Sequence, residues 1–215
     1  MSSDRCLKLL LVHGLWRTPL SLYPLVRSLR RWGYHPEQFG YAAVAQGYDG
    51  IITRLVKRLE LLAAAGPYVV IGHSLGSILL RSALARIDGP APLHLVMLGP
   101  PNQPSRLAHM LGSRWLYRQL MGECGVNLAS PAFYATLPAP QVPYTIVAGT
   151  AGPQGRWSPF AGETNDMTVT VSETRITDDD PVVALPVSHT FMMNHAAVHA
   201  VIRQVLDRAD PRPSG

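Results

Sequence analysis

Cysteine is nearly absent from this 215-residue chain. Only Cys6 and Cys124 occur, too few for a disulfide framework, and with no CxxC or Cys/His cluster there is no structural zinc signature. A reducing compartment, and hence a cytoplasmic protein, is the expectation. No stretch approaches the ~18 consecutive apolar residues of a membrane span, and the first apolar run, Leu7 to Val12, is interrupted by Lys8 and too short for the core of a secretory signal. Charged residues are scarce at 15%, but a hydrophobic fraction of 47% excludes a disordered chain. Acidic side chains are outnumbered 14 to 19 by Lys and Arg, a net charge of +5 that permits weak attraction to an anionic membrane surface or acidic ligand. No basic stretch is interleaved with aromatics, as a single-strand nucleic-acid groove requires, so nucleic acid is not an expected partner. Internal repeats are absent too, and nothing in the pattern points to an oligomeric state.

What is present is a regular alternation. At roughly 150 residues per domain, the length predicts one compact domain over 1–215. Leu7 to Val12 reads as a strand buried on both faces. Thr18-Pro19 reads as the cap and first residue of a helix that carries Leu22, Leu25, Val26 and Leu29 to Gly33. A second strand is expected within His35 to Ala43, a helix over Ile51 to Ala65, a strand over Tyr68 to Ile71 and a helix over Leu75 to Ile87. Further strands are expected at Leu93 to Leu98, Tyr144 to Ala148 and Val182 to Val187, and a closing helix at Ala196 to Arg208. The predicted fold is α/β, a three-layer α/β/α sandwich around a mostly parallel, roughly six-stranded sheet. The interval from Gly99 to Pro143 is too long for an ordinary connection, so 100–143 is read as a small helical cap insertion; Leu107, Leu111, Trp115, Leu116 and Leu120 give it an amphipathic face.

Gly72-His73-Ser74-Leu75-Gly76 follows a predicted strand directly and opens a predicted helix, the strand-turn-helix context in which G-x-S-x-G holds a serine hydroxyl on a sharp elbow. A side chain at Gly72 or Gly76 would crowd that turn. Acyl transfer needs a base for the serine and donors for a tetrahedral oxyanion. The Leu75 N–H, unpaired at a helix start, is one expected donor, and the Leu15 N–H after His13-Gly14 is the other.

Through Leu11-Val12-His13-Gly14-Leu15, Gly72-His73-Ser74-Leu75-Gly76, Asn165-Asp166 and Ser188-His189-Thr190, nearly the whole chain resembles the α/β-hydrolase superfamily, in particular its small bacterial esterase- and lipase-like members. The resemblance implies a nucleophile, acid and base in the chain order Ser, Asp, His. It also implies a reduced sheet whose first strand corresponds to the third of the full fold. Ser74 matches the nucleophile, Asp166 the acid and His189 the base, each after a strand. Two departures are visible: Met167 stands where many relatives carry glycine, and the loop Gly149 to Asn165 is long.

Glu163 is an alternative acid, whereas Asp178, Asp179 and Asp180 precede the last strand and read as a solvated turn at the opposite edge. His13 is expected to position the oxyanion loop, and His94 to be a hydrogen-bonded core residue. His73 is expected to face the pocket or the cap, where Trp16, Trp115 and Trp157 would line an apolar acyl site. His195 and His199 lie four apart but lack the glutamate of H-E-x-x-H, so no metal and no cofactor is expected. The implied activity is a serine ester hydrolase acting on a small-molecule or lipid-like acyl ester. An acyltransferase on the same triad and a non-catalytic binding module are the alternatives.

Overall fold

The computed structural model describes residues 7–106, 122–155, 158–160 and 162–210. Six strands form one sheet: β1 (Lys8–Val12), β2 (Pro36–Phe39), β3 (Tyr68–His73), β4 (His94–Leu98), β5 (Tyr144–Gly149) and β6 (Val182–Leu185). Their spatial order is β2-β1-β3-β4-β5-β6, and every pair is parallel. Parallel neighbours need crossover connections, which α1 (Tyr23–Arg31), α2 (Tyr48–Ala65) and α3 (Leu75–Leu84) supply; a short α4 (Pro131–Thr136) lies between β4 and β5, and α5 (Ala196–Ala209) follows the last strand.

Side chains alternate across each strand and so feed two cores. Leu10, Val12, Val70, Leu95 and Met97 pack with the apolar faces of α2 and α3, whereas Leu9, Leu11, Val69, Ile71, Val96 and Leu98 pack with α1 and α5. Both faces of the central strands are therefore apolar, which explains why they read as continuous hydrophobic runs. This is the three-layer sandwich that the alternation predicts.

Two expectations need adjustment. The helix expected from Thr18 to Gly33 is a 3-10 turn at Pro19–Leu22 followed by α1. Pro24, in the first turn of α1, has no N–H to bond one turn back, so the helix restarts there. Thr18 stands at the cap position, but its side chain makes no capping bond. The strand expected in His35 to Ala43 contracts to an edge strand of four residues.

In the interval 99–143, residues 122–127 are helical. Its two ends are tied to the domain, the Asn102 amide donating to the Thr174 carbonyl at 2.7 Å and Arg81 Nη2 of α3 to the Pro138 carbonyl at 3.0 Å, and between them the Tyr48 N–H donates to Glu123 Oε2 at 2.8 Å. The amphipathic stretch from Leu107 to Leu120, with Trp115, lies outside the described residues, as does Trp157. Among the described residues no helix is long and apolar enough to cross a membrane.

Candidate active site

A parallel sheet whose strand order reverses opens a crevice at the carboxyl ends of the two strands flanking the reversal. Here β1 leads outward to β2 on one side, and the chain then continues from β3 on the other. Gly14 and Leu15 follow β1 and Ser74 follows β3, so both predicted motifs sit at this switch point.

Ser74 has φ 53° and ψ −124°, a left-handed conformation that costs a non-glycine residue on the order of 1–3 kcal/mol and is sustained by what surrounds it. Its N–H donates to the Leu98 carbonyl at 2.9 Å, and the Ser77 N–H donates to its carbonyl at 2.9 Å. The elbow closes because two positions lack a Cβ. One at Gly72 would stand 2.6 Å from the Ser77 N and Cα, and one at Gly76 would collide with the Val12 and His13 carbonyls. Leu75 opens α3, and its N–H, like that of Leu15, donates to no protein acceptor among the described residues. Both are available to an anion beside Ser74, favoured at Leu75 by the helix dipole.

Asp166 is fully buried. Its Oδ2 accepts from His189 Nδ1 at 2.7 Å, and its Oδ1 accepts from the Thr168 and Val169 N–H groups at 2.9 and 2.7 Å. Both oxygens of the carboxylate are thus spent on three N–H donors, which fixes its orientation. With the proton of His189 on Nδ1, its Nε2 is left as a base. The His189 backbone N–H also donates to the Asp166 carbonyl at 2.9 Å. Gly99 lets the ring approach, since a Cβ there would lie 2.9 Å from Nδ1. The Ser74 hydroxyl makes no hydrogen bond to the ring, a contact that often tightens only when substrate binds.

Met167 takes φ 84°, so the position where glycine was anticipated does adopt the left-handed conformation that glycine fits best. Glu163 does not approach His189. Its carboxylate pairs with Arg106 and accepts from the Ser172 hydroxyl, which holds its pKa below the usual range, the hydroxyl contributing most. Asp180 is not in a solvated turn: it is 7% exposed and accepts from Tyr144 Oη and from the Ile176 and Thr177 N–H groups, pinning the start of β6 to that of β5.

The loop after β1, carrying Gly14 and Leu15, is fixed from beneath. The His13 ring stacks on Tyr41 at 4.2 Å, its Nδ1–H donates to the Gly14 carbonyl, and the Tyr41 hydroxyl donates to the His13 carbonyl at 2.7 Å. Tyr41 and Gly99 were not anticipated from sequence, because each acts through contacts distant in the chain. Arg17 reaches from the same loop to donate to Thr190 Oγ1 at 2.9 Å, next to His189. Trp16 is 58% exposed with φ 57° on that loop, and Phe191 is exposed beyond Thr190, so apolar side chains flank the Arg17–Thr190 bond. His73, expected to face the pocket or the cap, is 4% exposed, with its ring 4.8 Å from that of His189.

Burial holds the pKa of His13 below that of a free histidine and that of His73 well below it. The unfolded chain, with histidines near 6.5, therefore takes up protons first as the pH falls. Stability is fully present above about pH 6.5 and is lost below it, at up to ~1.4 kcal/mol per pH unit for each such group until its folded pKa is reached. Urea melts are expected to show a lower midpoint at pH 5.5 than at pH 7.5, and a smaller difference in His73→Met. Equal midpoints for the unsubstituted protein would refute this.

No family model and no curated protein matches the sequence. Among solved structures, the chain is similar to a member of the alpha/beta hydrolase superfamily from Xanthomonas campestris pv. campestris, with 16% identity, 94% of this chain and 98% of that one covered, and a TM-score of 0.60. It is similar to tomato methylketone synthase I in complex with 2-tridecanone, with 12% identity, coverage of 95% and 99%, and a TM-score of 0.63. It is also similar to human thioesterase 2, with 14% identity, coverage of 94% and 95%, and a TM-score of 0.55. The chain has the α/β-hydrolase fold.

Proposed function

We propose that this protein is a serine hydrolase of carboxylic esters, with Ser74 as nucleophile, His189 as base and Asp166 as the acid that orients it. The observation that carries this reading is the buried Asp166–His189 hydrogen bond at the same sheet edge as the strained Ser74 elbow. In the proposed sequence, His189 Nε2 takes the Ser74 proton as Oγ attacks the ester carbonyl, and the oxyanion is held by the Leu15 and Leu75 N–H groups. The imidazolium, stabilised by the Asp166 carboxylate, then protonates the departing alkoxide. Water, deprotonated by the same nitrogen, attacks the acyl-enzyme; its collapse releases the carboxylic acid and returns the proton to Ser74.

The substrate side is proposed to be apolar. Trp16, exposed beside the oxyanion loop, and the segment 100–143, tied to the domain at Asn102, Glu123 and Pro138 and read as a cap, are the surfaces assigned to the acyl chain. Trp115 is assigned to the same surface on its sequence pattern alone. The likeness to human thioesterase 2 makes thioesters a second acyl class to screen.

The test is intact mass after exposure to a fluorophosphonate, which phosphonylates only an activated serine. A single adduct on the unsubstituted protein and none on Ser74→Ala is the expected result. Absence of an adduct from both would overturn the reading and favour a binding module on the same fold.

A further inference from the structure

Alternation along β3 decides where His73 points. Val69 and Ile71 face the core formed with α1 and α5, so His73, two residues further on, projects to that same side. The 3-10 segment His189–Asn194 packs on this side, with Met192 and Met193 in the same core. The His73 and His189 rings lie 4.8 Å apart and tilted by 43°. His73 Nε2 stands 3.1 Å from the His189 carbonyl, and since a carbonyl only accepts, Nε2 carries the proton and donates. The other ring nitrogen, Nδ1, faces the oxyanion loop so closely that a Cβ on Gly14 would lie 3.1 Å from it.

We infer that His73 is a positioning residue of this active site: its side chain fixes the base loop by donating to the His189 carbonyl while its opposite edge sets the position of Gly14. This rests on the hydrolase reading for its effect on turnover, but not for its effect on the His189 backbone. His189 is then held on two sides, its N–H bonded to the Asp166 carbonyl and its carbonyl bonded by His73, which leaves the imidazole little freedom to swing away from Ser74. Because the anchor belongs to the residue before the nucleophile, any displacement of the elbow carries the base loop with it. Burial and the neighbouring His189 keep His73 neutral, so the ring serves as a fixed donor rather than a second base.

Two substitutions of similar volume separate donation from packing. Glutamine can place an amide N–H where Nε2 stands, and methionine fills the space with no donor. His73→Met is expected to lower kcat and the fluorophosphonate labelling rate by about 10²-fold, the scale of a misplacement near 1 Å, with KM within about twofold. His73→Gln is expected to recover most of that loss. In proton NMR, the downfield signal of the His189 Nδ1–H bonded to Asp166 should be sharp in the unsubstituted protein and in His73→Gln but broadened in His73→Met. Equal rates and equal signals in the two variants would overturn the inference and leave His73 as packing. If fluorophosphonate labels neither the unsubstituted protein nor the variants, the hydrolase reading fails, and the NMR comparison still decides whether His73 holds His189.

Discussion

Ser74→Ala is expected to lower ester turnover by about a million-fold, the scale on which a triad nucleophile is lost, and Asp166→Asn by about 10⁴-fold. The second figure follows from the hydrogen bonds around the carboxylate. Oδ1 accepts from the Thr168 and Val169 N–H groups, which hold their positions through the backbone. An asparagine must keep its oxygen toward those two donors and turn its NH₂ toward His189. A donor there forces His189 Nδ1 to accept, which moves the imidazole proton to Nε2, and a protonated Nε2 cannot take the proton of Ser74. The geometry survives while the tautomer is wrong. Glu163→Gln provides the contrast, because Glu163 is partly exposed and engages Arg106 and Ser172 rather than the site; its turnover is expected within about twofold of the unsubstituted enzyme. Steady-state kinetics normalised by fluorophosphonate titration would check all three. Turnover by Asp166→Asn within tenfold of the unsubstituted enzyme, or a greater loss in Glu163→Gln, would remove Asp166 from its role.

The parts of this architecture legible in the sequence are those written in local periodicity. Central strands buried on both faces appear as apolar runs, and amphipathic helices between them fix the alternation, so the sheet and the edge bearing Ser74, Asp166 and His189 follow from short windows of residues. Boundaries followed less well where a proline changed the hydrogen-bond ladder, as at Pro24, or where an edge strand lost its partner, as beyond Phe39. The roles of Asp180 and Glu173 were not legible. Glu173 is buried and uses its carboxylate to accept from the Arg106 and Thr170 N–H groups, tying the start of the insertion to the loop that carries Asp166. Nothing in its immediate neighbours marks it. His73 is the sharpest case: its partner is 116 positions away in sequence, and only the parity of β3 together with the packing of the base segment shows which way it faces.

Two glycines near Ser74 are expected to fail differently when given a methyl group. Gly76 sits where α3 crosses the end of β1, and a Cβ there would overlap the Val12 and His13 carbonyls and lie 2.8 Å from the Val12 carbonyl carbon. These are backbone atoms of a central strand hydrogen-bonded on both sides to β2 and β3, so no rotamer change can relieve the clash. Gly76→Ala should therefore cost about 3 kcal/mol, at the upper end of overpacking, which for a chain of this size lowers the Tm by roughly 6 to 12 °C. A Cβ on Gly14 meets a softer boundary: Ser74 Cβ at 3.0 Å and His73 Nδ1 at 3.1 Å, with a backbone φ outside the left-handed region. A few tenths of an ångström of displacement accommodate it, but the displaced atoms are the nucleophile's side chain and the ring that anchors the base loop. Gly14→Ala is thus expected to keep its Tm within about 3 °C while losing about 10²-fold in kcat, comparable to the loss of one oxyanion donor. Calorimetry beside kinetics on the two variants separates the cases. A fully active Gly14→Ala, or a Gly76→Ala that melts with the unsubstituted protein, would show that the elbow and the oxyanion loop are not packed as tightly as these distances imply.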